Sequence, residues 1–69
     1  MTPEEAREQL EKQFGNEDWT HYAIGPDPVD GQVKPWRFNA RNDLDARQIG
    51  NHPPFSGRAI YRRTDATAI

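Results

Sequence analysis

The chain has 69 residues, no cysteine, a formal net charge of −2 and 33% hydrophobic residues. That length holds one domain at most, and the lack of cysteine excludes the disulfide framework on which many small secreted domains depend. No apolar run approaches the roughly 20 residues of a membrane-spanning helix, and the acidic opening TPEEAREQLEKQ is unlike a signal peptide. The sequence therefore reads as a soluble, cytoplasmic single domain over residues 1–69, with no membrane partner.

Leu, Ile, Val and Phe together supply 11 of the 69 residues, a share at which disorder competes with folding. Seven aromatics stand against it: Phe14, Trp19, Tyr22, Trp36, Phe38, Phe55 and Tyr61. Each buries a large area, so a few can nucleate a small core.

Residues 2–14 are predicted to form a helix. Thr2 suits the N-cap, Pro3 the first helical position, and Glu5 completes a capping box three residues after Thr2. Ala6, Leu10 and Phe14 recur every four residues as one apolar stripe. Gly15 and Asn16 are expected to end the helix in a left-handed turn. Residues 19–24, rich in strand formers, predict a first strand with Tyr22 and Ile24 on one face and Trp19, His21 and Ala23 on the other. The segment 25–31 holds two prolines and an Asp-Gly pair and reads as a loop, stiff enough to serve as a rigid binding loop.

Residues 33–40 predict a second strand, paired with the first as a hairpin. Trp36, Phe38 and Ala40 alternate with Arg37 and Asn39, and Pro35, which cannot donate to a ladder, places this strand at a sheet edge or starts it near Trp36. A short helix over 43–49 is capped by Asn42 or Asp43 and stopped by Gly50. Asn51 to Phe55 reads as extended, polyproline-like chain. Residues 57–64 predict a third strand, and 65–69 a loose tail. The fold class is α+β: an N-terminal helix on one face of a three-stranded antiparallel sheet, with a short second helix before the last strand. Leu10, Phe14, Tyr22, Ile24, Trp36, Phe38 and Ile60 are the expected core.

Charge is divided along the chain. Residues 1–33 hold eight acids and two bases, and residues 34–69 hold three acids and seven bases. Such asymmetry marks an interaction surface, unless the halves neutralise each other within the fold. The expected contact residues are Trp36, Arg37, Arg58, Tyr61, Arg62 and Arg63, because arginines among aromatics suit carboxylate or phosphate partners. His21 and His52 invite a catalytic or metal-binding reading. Yet no ligand spacing, nucleophile motif or glycine-rich phosphate loop accompanies them, so no catalytic residue, metal or cofactor is assigned. His21 is expected to be half-exposed.

The expectation is a small non-catalytic protein-binding module with an acidic-surfaced protein partner. Its size suits an inhibitor or accessory factor of the kind that phages and mobile elements encode. The alternative is a nucleic-acid-associated protein using the basic C-terminal half. Against it, the chain lacks the overall basicity of a dedicated nucleic-acid binder.

Overall fold

The computed structural model describes residues 1–69. Helix α1 spans Pro3–Phe14, strand β1 His21–Pro26, strand β2 Val33–Phe38, helix α2 Asp43–Gly50 and strand β3 Ala59–Arg62. The strands form one antiparallel sheet in the order β2-β1-β3. The fold is α+β, with the second short helix before the last strand, as the sequence pattern requires.

Helix α1 begins as its first residues dictate. The Thr2 hydroxyl accepts from the Glu5 amide at 3.2 Å, and the Glu5 carboxylate accepts from the Thr2 amide at 2.9 Å. Two orphan N–H groups are thereby satisfied reciprocally. The far end differs from the expectation. Gly15 has φ −58° and ψ −25°, so the helix does not stop in a left-handed residue. Side chains finish it instead. The Trp19 indole N–H donates to the Phe14 carbonyl at 2.9 Å, and Arg63 donates to the carbonyls of Gly15 and Glu17 at 3.0 and 2.8 Å. A cation placed on the last carbonyls serves the same orphan groups that a left-handed glycine cap would.

The ladder has a definite parity. Arg63 donates to the Thr20 carbonyl, and Tyr22 and Ile24 lie opposite Tyr61 and Ala59. Even-numbered residues of β1 thus exchange hydrogen bonds with β3, and odd-numbered ones with β2. The Asp27 amide bonding to Gln32 continues the second series, in which Gly25, Ala23 and His21 face Lys34, Trp36 and Phe38. Val33, Pro35 and Arg37 therefore turn their backbone groups to the outer edge. Pro35 loses nothing there, since its missing N–H has no partner within the sheet.

Both faces of the sheet are covered. On one face α1 packs Ala6 and Leu10 against Tyr22 and Trp19, with Phe14, Ile24 and Tyr61 around them. On the other, Ala23, Ala40, Ala46 and Ile60 form a second cluster, bordered by Trp36, Phe38, Ile49, Phe55 and Ile69. The expected core residues thus divide between two faces: Leu10, Phe14, Tyr22 and Ile24 belong to the first, and Trp36, Phe38 and Ile60 to the second. The register explains the division. Tyr22 lies opposite Arg37, which sends Trp36 and Phe38 through to the far side.

Helix α2 supplies the second cover. Asn42 caps it by accepting from the Asp45 amide at 2.9 Å. Its last residue, Gly50, meets β3 so closely that a Cβ there would lie 2.8 Å from Ile60 Cγ1. The following segment is not extended, which corrects the polyproline expectation. His52 donates to Ile49, Phe55 to His52 and Arg58 to Phe55, in successive turns that contain a cis Pro53–Pro54 bond. They return the Phe55 ring to within 5.1 Å of the Phe38 ring. Burial of Phe55 against Phe38 rewards the turns, which an extended chain would forfeit.

The tail is docked as well, not loose as the sequence suggested. The amide of Arg62 donates to Thr67, that of Ala66 to Arg62 and that of Ile69 to Ile60. Ala66 is buried, with φ 59°. Ile60 and Arg62 are the residues of β3 whose backbone groups face away from β1, and the returning chain satisfies them. One sheet edge is therefore sealed, and the β2 edge is the open one.

Candidate functional site

The open edge lies at the base of a groove of about 520 Å³. One wall is α1, through Gln9, Gln13 and Phe14, and the other is the turn at Pro54 and Phe55. Between them run Val33 to Arg37. Val33 is half exposed, and Trp36 and Pro35 are partly buried. The Trp36 indole N–H is buried with no acceptor. Lys34 and Arg37 are the charged side chains of the lining, which contains no carboxylate.

The hairpin loop continues the edge and is cross-braced by side chains. Asp27 accepts from the Val29 amide at 2.8 Å, and Asp30 from the Gln32 amide at 2.9 Å. Lys34 Nζ bridges the two carboxylates at 3.0 and 2.8 Å. The Val29 amide and then the Lys34 ammonium lower the Asp27 pKa; for Asp30 the Lys34 ammonium comes first and the Gln32 amide second. Gly31 closes the loop at φ 74°, where a side chain would be strained. At the tip Val29 is 92% exposed. A locked loop thus holds an apolar side chain in water.

The expected contact residues do not gather on one face. Arg37 lies on the α1 side, 3.5 Å from the Phe14 ring centroid, and donates to Glu17 at 3.0 Å. Tyr61 stacks on Tyr22 with centroids 5.6 Å apart. Arg63 spends all five of its N–H groups: on both oxygens of Glu11 and on the carbonyls of Gly15, Glu17 and Trp19. Arg62 binds Asp43 through Nε at 2.8 Å and reaches Asp65 at 3.6 Å. Arg58 donates to the Pro26 carbonyl at 2.7 Å and lies 5.1 Å from the Trp36 ring. Of the six, Trp36 and Arg37 line the groove. The charge asymmetry is absorbed in the fold, as the ion pairs of Arg37 with Glu17 and of Arg63 with Glu11 join the basic half to the acidic half.

His21 is 5% exposed, not half-exposed as expected. Its Nε2 lies 3.0 Å from Asp43 Oδ1 and its Nδ1 2.8 Å from the Thr20 hydroxyl, with the ring stacked on Phe38. The Arg62 guanidinium, then His21, holds the Asp43 carboxyl down at about 2. The Thr20 oxygen also receives the Ala40 amide at 2.8 Å. The row Thr20–His21–Asp43 has the residue types of a nucleophilic triad, but His21 and Asp43 line none of the surface cavities. Its visible effect is to tie the start of α2 to the central strand. No group of three or more histidine, cysteine or carboxylate side chains stands together as a metal site.

No family model, curated protein or solved structure matches the chain. No helix is long and apolar enough to cross a membrane. The sequence named Trp36 and Arg37 but missed Val33, Phe14 and Phe55 as groove residues. Pro35, which marked the strand as an edge, was the available signal.

Proposed function

We propose that this chain is a small, non-catalytic protein-binding module, acting in the cytoplasm as an inhibitor or accessory factor of a larger partner. The observation that carries the reading is the open β2 edge set in a groove flanked by Phe14 on one side and Phe55 on the other. Unpaired strand edges are sites of chain association, and the Lys34 and Pro35 of this edge guard it against indiscriminate pairing. The locked loop with Val29 at its tip supports the same reading, because a preordered loop loses little entropy on contact. So does the commitment of Arg37, Arg62 and Arg63 to internal acids and carbonyls, which leaves few of the predicted arginines for phosphates. The non-catalytic part rests on His21, whose two ring nitrogens are both engaged away from any cavity.

Site-directed photo-cross-linking tests the proposal. A benzophenone side chain is placed at Val33, in the groove, and separately at Glu8, on the outer face of α1. In extract of cells that make the protein, the Val33 probe should give discrete protein adducts. Excess unlabelled protein should compete them away, and the Glu8 probe should give none. Adducts that disappear on nuclease treatment would replace this reading with the nucleic-acid one. Equal labelling from both positions would remove the groove from consideration.

A further inference from the structure

We propose that His21 is a proton-operated latch: uptake of a second ring proton completes the hydrogen bonding that ties the β2–α2 link and the start of α2 to the central strand. The latch lies on the α2 side of the sheet and does not depend on what the groove binds. Four polar contacts meet around one imidazole and one hydroxyl. His21 Nε2 lies 3.0 Å from Asp43 Oδ1, and Nδ1 lies 2.8 Å from the Thr20 hydroxyl. The same hydroxyl accepts from the Ala40 amide at 2.8 Å and stands 3.2 Å from the Ala40 carbonyl. Ala40 is 8% exposed, and its carbonyl has no other donor within the chain. Thr20 has a single hydroxyl proton to give.

The three states of the ring meet these contacts differently. In the neutral ring protonated on Nε2, Asp43 is served and the Thr20 proton goes to Nδ1, which leaves the Ala40 carbonyl bare. In the neutral ring protonated on Nδ1, the Thr20 proton is free for Ala40, but the Nε2 lone pair faces a carboxylate. That carboxylate stays ionised, because Arg62 and then His21 hold it at about 2. Only the doubly protonated ring satisfies all four contacts: Nε2–H donates to Asp43, Nδ1–H to Thr20 and the Thr20 hydroxyl to Ala40. Passing from the first state to the last takes one proton and a turn of one hydroxyl hydrogen. Charge favours the same state. Asp43 and Asp45 face His21 from α2, and Arg62 is its cross-strand neighbour on β3. Asp65 reaches Arg62 at 3.6 Å and Arg41 reaches Asp45 at 3.5 Å. From β2 comes only the uncharged Phe38 ring, and α1 covers the other face. Three carboxylates thus stand against two guanidinium groups, and an imidazolium balances the remainder. Burial opposes a charge on the ring, but pairing with Asp43 and a hydrogen bond at each nitrogen offset it.

The protonated ring gains partners on folding, so its stabilisation is present below the unfolded imidazole value of about 6.5 and is lost as pH rises past it. Melting temperatures of the full chain between about pH 5.5 and 8.5 test this in the range where histidine changes charge. The parent should melt at least about 4 °C higher at the acid end, the scale of one hydrogen bond gained. His52→Gln alters the exposed histidine and should keep the difference, whereas His21→Gln should lose it. Thr20→Ser, which retains the hydroxyl, should keep it, and Thr20→Val should not. Nitrogen NMR of the unaltered chain reads the ring directly, whether or not the variants fold. At about pH 5.5 the folded His21 should carry a proton on both nitrogens. A ring that is neutral there overturns the latch. So does a melting temperature that is flat across the range, and so does a pH dependence that survives in His21→Gln.

Discussion

Arg63 makes the strongest single prediction about stability. Its guanidinium donates to the carbonyls of Gly15, Glu17 and Trp19 at 3.0, 2.8 and 2.9 Å, to both oxygens of Glu11, and sits 4.0 Å from the Trp19 ring centroid. The Glu11 arm is half-exposed and counts for little, as surface ion pairs do. The three carbonyl bonds at about 1 kcal/mol each, with roughly 1 kcal/mol from the cation–π contact, put Arg63→Ala at a loss of about 4 kcal/mol. Folding free energies of roughly 3–10 kcal/mol are usual at this length, so much of the Ala variant should be unfolded at room temperature. Arg63→Lys is the sharper test, because it retains the charge. One ammonium cannot reach carbonyls spread over Gly15 to Trp19 as a planar fork does. About half the contribution should go, lowering the melting temperature by roughly 8–16 °C at 4–8 °C per kcal/mol. Thermal circular dichroism measures it. A Lys variant melting with the parent would refute the claim that carbonyl capping, and not charge, is what Arg63 supplies.

Four other perturbations follow from contacts in the fold. The Asp43 carboxyl, held near 2 by Arg62 and His21, contributes stability that is present above its unfolded value near 3.8 and is lost as pH falls through about 2. Acid titration of the melting temperature should therefore fall between about pH 4 and 2, and less steeply in Asp43→Asn. Gly50→Ala should destabilise by about 1–3 kcal/mol despite alanine's better helix propensity, because its Cβ would enter the space of Ile60; denaturant unfolding reads the sign. Trp36→Phe removes an orphaned donor whose burial costs about 1–3 kcal/mol, so the lost packing area is offset and the melting temperature should change little. Trp19→Phe, by contrast, deletes the bond to the Phe14 carbonyl and should lower the melting temperature clearly.

What was legible in the sequence was local. Thr2, Pro3 and Glu5 specify the start of α1 within four residues, and Asn42 does so for α2. Pro35 marks β2 as an edge strand because a missing N–H can only face outward. The division of the core was not legible. Alternation places Trp36 and Phe38 together but does not say which face Tyr22 shares with them, and only the hairpin register decides that. Nor were the small residues. Ala6, Ala23 and Ala46 are fully buried because helices approach the sheet closely there, an arrangement that an alanine in a sequence does not announce. His21 looked like a half-exposed strand residue since its partner Asp43 is 22 positions away. Within the candidate site, Trp36 and Arg37 were recognisable by type. Phe14 and Phe55, distant in the chain, become the walls of one groove only through packing.

The docked tail has a consequence for assembly. A sheet with two bare margins can accept a neighbour on each, and each neighbour offers a fresh margin in turn, so growth has no natural end. Here the chain returning along β3 occupies one margin with its own Thr67 and Ile69 backbone. Only one valence remains. Any strand arriving at β2 is the last that this molecule can take, and two copies meeting there would exhaust each other. Pairing through this chain's own sheet is thus confined to the β2 edge. Release of residues 66–69 would restore the second valence and, with it, open-ended association.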